Sequence, residues 1–331
     1  MSKTRLCIVV FPLLLLGSVL ALLYALGSGE FENSLWQSMR ILLGLEDGGM
    51  MRNVLLKLRL PRAIAVFSCG GLLALAGALM QVLLRNPLAD PYIFGISGGA
   101  AIGALAAIWF GLGTGWMELL ALTGASAVTL LVFGLAHGDG AWSQTRLLLT
   151  GMVVASGCGA VVMLILPFVP EGKIHSMLFW LTGDASGVTH PWSGVIVLLA
   201  GLLCVMPFAR ELNILAHGEM TARALGVNVR RLRYILYLLA SVLTAVSVCL
   251  IGTVGFVGLV IPHLVRLVIG NDQRILLPAS LLAGGIILTV ADTLSRTLVS
   301  PLQLPLGALT ALIGVPTFLY LLSRQATRAG S

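Results

Sequence analysis

The sequence predicts an all-α polytopic membrane protein of about ten transmembrane helices, with N- and C-termini cytoplasmic. Three observations carry this. Only 10% of the 331 residues are charged and 58% are apolar, whereas soluble domains carry about 25% and 45–50%. The apolar residues fall in runs near the ~20 residues that a helix needs to cross a ~30 Å hydrocarbon core. The basic residues, finally, are distributed unequally between alternate connections.

The runs lie at 6–27, 60–84, 92–111, 117–136, 146–167, 192–209, 232–252, 256–269, 276–297 and 305–323, divided by charged or Pro/Gly-rich stretches. The first follows Lys3 and Arg5 and has 21 apolar-rich residues through 26, longer than the ~7–15 of a signal-peptide core, and so reads as a span. The eighth is short for a full crossing. With a cytoplasmic N-terminus, 13 Lys and Arg fall on the inside and 7 outside, which favours both termini inside. The net charge of +7 then reflects this asymmetry and not nucleic-acid binding. The 39 glycines, clustered as in Gly95, Gly98, Gly99 and Gly103, suit close helix approach in lipid, where small residues replace the hydrophobic drive to associate. Residues 1–331 therefore form a single domain. Two outside connections are irregular: 28–58, with Glu30, Glu32, Glu46 and Asp47, and 168–191, whose Ile174 to Leu181 reads as an interfacial amphipathic helix.

No GxxxxGK[ST] phosphate loop occurs. GISGGAAIG at 95–103 lacks the Lys-Ser/Thr that would follow and reads as helix packing. No nucleophile, base and orienting acid fall together, so no enzyme is expected. The five cysteines, Cys7, Cys69, Cys158, Cys204 and Cys249, are single residues in apolar runs, which argues for core packing and against a disulfide framework or metal site. His263 reads as a packed or capping residue. His175, Met177 and His190 have no ligand spacing. Asp292 is an intramembrane carboxylate, paired at i, i+4 with Arg296; Arg62 reads as a headgroup anchor. A gradient-driven secondary transporter would place ionisable residues at the midplane and show inverted repeats; neither is evident, and no channel-filter repeat appears.

LNILAHGEMTARALGVNVRRLR, residues 212–233, is the most informative polar stretch. Glu219 to Leu225 reads as a short helix, with Gly226 as its left-handed cap. Asn228 then N-caps the next helix, with Arg230, Arg231 and Arg233 at the membrane edge. Such an elbow suits docking to a partner protein, or is a plain loop with a topogenic basic cluster.

RLPRAIAVFSCGGLLALAGALMQVLLRNPLADPYIFGISGGA, LLLTG at 147–151, ARALGV in the elbow, GFVGLVIPHLVRLVIGNDQRILLPAS, and ADTLSR followed by LPLGALTALIGVPTFLYLL together resemble the FecCD-type permeases of binding-protein-dependent ABC importers, over about residues 55 to 323. That family includes vitamin B12, haem and ferric-siderophore permeases. The resemblance implies a multi-pass permease of the bacterial inner membrane that moves an iron chelate (siderophore or haem) or cobalamin from periplasm to cytoplasm. Its partners would be a second permease subunit, as a homodimer, two ATP-binding subunits, a periplasmic binding protein and the lipid bilayer. The chain itself would need no cofactor and no metal; ATP and Mg would be used by the ATPase. Residue by residue, Glu219, Arg223, Ala224, Leu225 and Gly226 match the ATPase-coupling elbow. Asn86 and Leu88, in the turn stiffened by Pro87 and Pro91, match one half of the cytoplasmic gate, and Gln144 and Thr145 the other. Arg59 and Arg296 match arginines that pair with acidic residues of the binding protein, a task suited to the forked guanidinium.

Overall fold

A computed structural model describes residues 3–28, 35–42, 44–46, 49–136, 144–188 and 190–329; Glu30, Glu32 and Asp47 of the first outside connection lie outside them. All regular structure among the described residues is helical. In chain order the helices are α1 (Lys3–Gly27), α2 (Leu35–Leu42), α3 (Gly49–Val54), α4 (Leu60–Leu83), α5 (Ile96–Phe110), α6 (Thr114–Ala136), α7 (Gln144–Ile165), α8 (Glu171–Thr182), α9 (Pro191–Val205), α10 (Ala209–Ala216), α11 (Glu219–Ala224), α12 (Val229–Ile251), α13 (Val257–Ile269), α14 (Gln273–Thr297) and α15 (Leu306–Ala329). Among the described residues, seven helical segments are long and apolar enough to cross a membrane, and three shorter apolar helices accompany them at Ile96–Phe110, Val257–Ile269 and Leu306–Leu321.

The centre of the bundle is α4. It continues α3 through a wider turn at Leu55–Arg59 into one segment, Gly49–Leu83, so the 28–58 connection is partly helical where the sequence suggested irregular chain. From Cys69 to Leu83 every α4 residue is buried, enclosed by α9, α12, α13 and α14. Glycine makes this possible. A Cβ on Gly77 would lie 1.8 Å from the Gly258 carbonyl oxygen of α13, and one on Gly70 2.3 Å from that of Gly284 in α14. The backbones touch, as expected where small residues replace apolar burial as the source of helix association. The predicted packing role of the 95–103 glycines is seen too: Gly99 meets Gly124, and Gly103 meets Leu120, both on α6.

The predicted third span at 92–111 begins later. Asp90 caps a tight turn at Pro91–Phe94 by accepting from the Tyr92 N–H at 2.7 Å, and Gly95 at φ 73° ends it before α5 starts. This turn reaches into the bundle. Pro91 lies against Gly258, and the Tyr92 hydroxyl accepts from the Val254 N–H at 3.1 Å. Entry of the turn shortens α5, just as the break at 252–256 shortens α13 to 13 residues, about 20 Å at 1.5 Å per residue.

Among the cysteines, Cys69, Cys158 and Cys249 are buried as expected, but Cys204 is exposed on the outer face of α9, beside Leu203. α6, α7 and α15 likewise carry large exposed apolar residues, among them Leu130, Val153, Met163 and Leu312. These faces meet lipid or another membrane subunit.

Candidate functional site: an inner elbow and gate, and an outer basic cleft

The elbow forms from local chemistry. Gly218 at φ 124° and Gly226 at φ 79° bracket α11, and the Asn228 side chain caps α12 by accepting from the Arg231 N–H at 3.0 Å. Only Ala222 of α11 is buried. Arg223, Ala224, Leu225 and Gly226 are exposed, and Met220 beside them is 84% exposed. Glu219 turns inward. Its two carboxylate oxygens accept from Arg223 and Arg233, each at 2.6 Å. Burial opposes its ionisation, but the Arg233 and Arg223 guanidiniums outweigh that and hold the carboxyl below its usual range. Arg233, expected at the membrane edge with Arg230 and Arg231, is in fact buried and serves this pair.

A second anchor was not visible in sequence. The Asn213 amide of α10 donates to the Asp272 carboxylate at 2.8 Å, and its oxygen accepts from the Gln273 N–H at 2.8 Å. Asp272 also caps α14, accepting from the Arg274 N–H at 3.2 Å. The elbow is thus fastened to the first turn of α14. Beneath it lies a cavity of about 510 Å³ walled by Glu211, Leu225, Asn228 and Arg231.

Asn86, Pro87 and Leu88 are exposed. The Asn86 side chain accepts from the Leu88 N–H at 2.9 Å, so a local turn, not a partner helix, sets its orientation. Gln144 begins α7, its side chain outside the described ones, and Thr145 is exposed. The two segments are connected: a Cβ on Gly151 of α7 would meet the Ile93 carbonyl at 2.9 Å, and Gly95 abuts Ala155. The turn after α4 is therefore seated directly on α7.

On the opposite side, Lys57, Arg59, Arg62 and Arg296 line one cleft of about 370 Å³. Arg59 and Arg296, far apart in sequence, are brought together here. Arg59 is 8% exposed and donates to the Leu26 carbonyl at 2.9 Å. Arg296 contacts Asp292 at 3.3 Å, the expected i, i+4 pair. The stronger partner of Asp292 is Arg62, whose Nε lies 3.1 Å from both carboxylate oxygens and whose second nitrogen lies 2.7 Å from one. Arg62 is therefore not a headgroup anchor. It closes a buried ion cluster joining α4 to α14, over a separation of 230 residues that no local pattern reveals.

A neighbouring outer cavity of about 480 Å³ shares Ser186, Leu302 and Gln303 with the cleft and is lined by Glu118, His175 and Asp184. α8 packs its Met177 and Trp180 inward while Glu171, His175, Ser176 and Leu178 are exposed, a two-faced arrangement compatible with the expected amphipathic helix. His175, Met177 and His190 do not converge: the first lines this cavity, the second is buried, and the third is exposed at the start of α9. No group of three metal-ligating side chains occurs among the described residues.

Residues 14–324 match the model of the FecCD transport family. The chain is 39% identical to a hemin transport system permease protein of Yersinia pestis, over 95% of this chain and 96% of that one. It is 41% identical to a cobalamin import system permease protein of Halobacterium salinarum, over 82% and 74%. Among solved structures, an inward-facing metal-chelate type ABC transporter superposes with a TM-score of 0.83 at 30% identity, covering 97% of this chain and 99% of that one.

Proposed function

The chain belongs to the FecCD transport family, and from that premise we propose that it is the permease subunit of an ATP-driven importer carrying a metal chelate, a ferric siderophore or haem, across the bacterial inner membrane into the cytoplasm. The observation that carries this is the elbow. A short helix exposes Met220, Arg223 and Leu225, yet two half-buried polar anchors tie the elbow to α12 and α14. A free loop would need neither anchor. A helix that receives force from an ATPase needs both, because displacement of the exposed face must reach the spanning helices without being absorbed.

The division of labour follows. The sequence has no phosphate loop, so two separate ATP-binding subunits supply hydrolysis, using ATP and Mg. The outer cleft presents Lys57, Arg59 and Arg296 to carboxylates of a periplasmic binding protein. The pathway runs along the interface with a second copy, where α7 and α15 offer exposed apolar faces. Asn86, Leu88, Gln144 and Thr145 close its inner end with uncharged side chains, which release a bulky ligand more readily than a charged ring would.

Cobalamin is the alternative cargo, supported by the likeness to cobalamin permeases. Uptake into proteoliposomes containing this chain, its ATPase, ATP and the binding protein decides between them. Labelled ferric siderophore, haem and cobalamin are compared with and without ATP. ATP-dependent accumulation of an iron chelate alone supports the proposal. Accumulation of cobalamin alone reassigns the cargo, and equal movement without ATP removes the coupling role of residues 212–233.

A further inference from the structure

The stretch that follows α4 is braced from within. The Leu88 N–H donates to the Asn86 side chain at 2.9 Å, the Ala89 N–H to the Asn86 carbonyl at 3.1 Å, and the Ile93 N–H to the Asp90 carbonyl at 3.2 Å. With the Asp90 cap on the Tyr92 N–H and the fixed φ of Pro87 and Pro91, these bonds make residues 86–94 move as one piece. Phe94 is its last residue before the break at Gly95, and it is fully buried. Its ring meets the Tyr237 ring of α12 edge to face, with centroids 5.2 Å apart and planes at 76°.

Tyr237 is held from its other side. Its hydroxyl donates to the Thr129 carbonyl of α6 at 3.0 Å, and Phe133 of α6 stacks on its ring at 5.8 Å. An edge-to-face contact is directional, because the positive rim of one ring seeks the negative face of the other. A ring that cannot turn passes displacement on and does not absorb it. Arg233, one helical turn before Tyr237, holds Glu219 of the elbow at 2.6 Å. Four residues of helix span about 6 Å, so the elbow's anchor and the seat of Phe94 occupy adjacent turns of α12. The contacts on α7 and α13 hold the stretch in place; the contact on α12 joins it to the elbow.

We propose that Tyr237 and Phe94 are positioning residues that carry displacement of the elbow into the inner gate. The inference rests on the importer reading, in which residues 212–233 receive the ATPase stroke and Asn86 and Leu88 form half of the gate. α12 packs along α4, so Tyr237 travels with the centre of the bundle when the elbow is displaced. Its ring moves Phe94, and the braced stretch swings Leu88 about the seat on α7. Both rings are fully buried, so their part is transmission and not contact with the ATPase. Leucine in either place would fill space but has no ring edge or face to direct the push. Phenylalanine in place of Tyr237 keeps the ring and loses only the bond that fixes it to α6.

The test reads the gate directly and needs no cargo. Leu88 is 38% exposed, so a thiol there is open to reagent. The full chain carrying Leu88→Cys is reconstituted with its ATPase and labelled with a water-soluble maleimide, with and without ATP and vanadate. Labelling at position 88 is read by peptide mass, which sets the native cysteines aside. This parent is compared with added Tyr237→Leu, Phe94→Leu, both together, Tyr237→Phe, and Leu198→Ala, a buried α9 residue, as control. ATP should change the labelling rate of the parent at least fivefold. Tyr237→Leu and Phe94→Leu should each cut that change at least threefold while ATP hydrolysis continues, and the pair should do no more than either alone. Tyr237→Phe should cut it less, and the control not at all. If Tyr237→Leu fails to fold, Phe94→Leu and Tyr237→Phe decide. An undiminished ATP response in the leucine variants, or additive losses, overturns the proposal alone. A loss matched by an equal fall in ATP hydrolysis, or shared by the control, assigns the rings to packing and likewise overturns it. No ATP response in the parent removes the gate reading itself, and this inference with it.

Discussion

Replacing Arg62 by Met should be the most destabilising single change in the outer cleft. The carboxylate of Asp292 is only 3% exposed, and Arg62, itself 13% exposed, makes three of its four guanidinium contacts. Removing one partner of a buried ion pair costs about 3–5 kcal/mol, because the remaining charge stays buried without compensation. Arg296 remains, but with Nε at 3.3 Å and 17% side-chain exposure it compensates weakly, so the lower end, about 3 kcal/mol, applies. At about 2.1 cal/mol/K of unfolding entropy per residue, the 331 residues give roughly 0.7 kcal/mol/K, so this lowers the apparent melting temperature by about 4 °C.

The assay is thermal unfolding of the detergent-purified chain, with Arg52→Met, an exposed arginine on α3, as the control expected to change stability by less than about 0.5 kcal/mol. Adding Asp292→Asn to Arg62→Met removes the uncompensated charge and should recover at least half of the loss. If the double variant is no more stable than the single one, the cost is lost packing and not lost charge. If Arg62→Met melts with Arg52→Met, the buried ion cluster does not carry the stability argued for it.

Three further outcomes follow from the other close contacts. Asn213→Ala removes two hydrogen bonds, one to a carboxylate, between elbow and α14; at about 1–1.5 kcal/mol, transport per ATP hydrolysed in the reconstituted importer should fall some five- to tenfold, and a proportional fall in both rates would argue against a coupling role. Glu219→Gln leaves the Arg233 guanidinium, 6% exposed, with a neutral partner and should cost about 1.5–3 kcal/mol near neutral pH. Because the Glu219 carboxyl is held below its usual range, its contribution is present above the ordinary glutamate pKa of about 4.3 and disappears as pH falls through the folded value; melting curves of the two proteins should converge on acidification. Gly77→Ala places a Cβ 1.8 Å from a backbone oxygen that cannot rotate away, so it should cost more than the ~1–3 kcal/mol of ordinary overpacking, while Gly134→Ala, with nothing within 4 Å, should be tolerated, as relative yields and melting temperatures will show.

The parts of this architecture that could be read in advance are those with local causes. Apolar run length locates the helices, because lipid imposes it directly. Gly226 and Asn228 mark the elbow, because capping is decided within four residues. The third span is misplaced by four residues because the Asp90 cap and the positive φ of Gly95 compete with an unbroken apolar pattern. What stayed hidden is non-local. Arg62 finds Asp292 across 230 residues and Asn213 finds Gln273 across 60; nothing near either residue distinguishes it from a surface polar group. The roles expected of Asn86, Leu88 and Thr145 rest on family likeness, since their own contacts are a turn hydrogen bond or solvent; that of Arg59 does too, since its contact is a buried bond to the distant Leu26 carbonyl.

The hidden pairs share a feature that bears on how the molecule can move. Asp272 and Asp292 lie near the two ends of α14, the first receiving the elbow and the second receiving α4 beneath the outer cleft. Between them α14 touches α4 backbone to backbone at Gly70 and Gly284. Contacts of that kind have no side chains to rearrange, so the α4–α14 pair shifts as one body or not at all. Sliding would require breaking a buried ion cluster as well. Opening and closing must therefore be taken up elsewhere, where packing is thinner. α7 and α15 are less enclosed by this chain's own helices, with several large side chains on each more than half exposed, including Val153, Met163, Leu312 and Leu319, and the turn at 85–94 rests on α7 through Gly151 and Ala155. A push on the elbow would reach the α4–α14 pair through Asn213 and Asp272. If Asn86, Leu88, Gln144 and Thr145 form the inner gate as proposed, the seat of the 85–94 turn on α7 is a contact through which they would respond. A gate in that position would account for the few bonds that Asn86, Leu88 and Thr145 make. Side chains that must part on every cycle gain nothing from strong partners in one state.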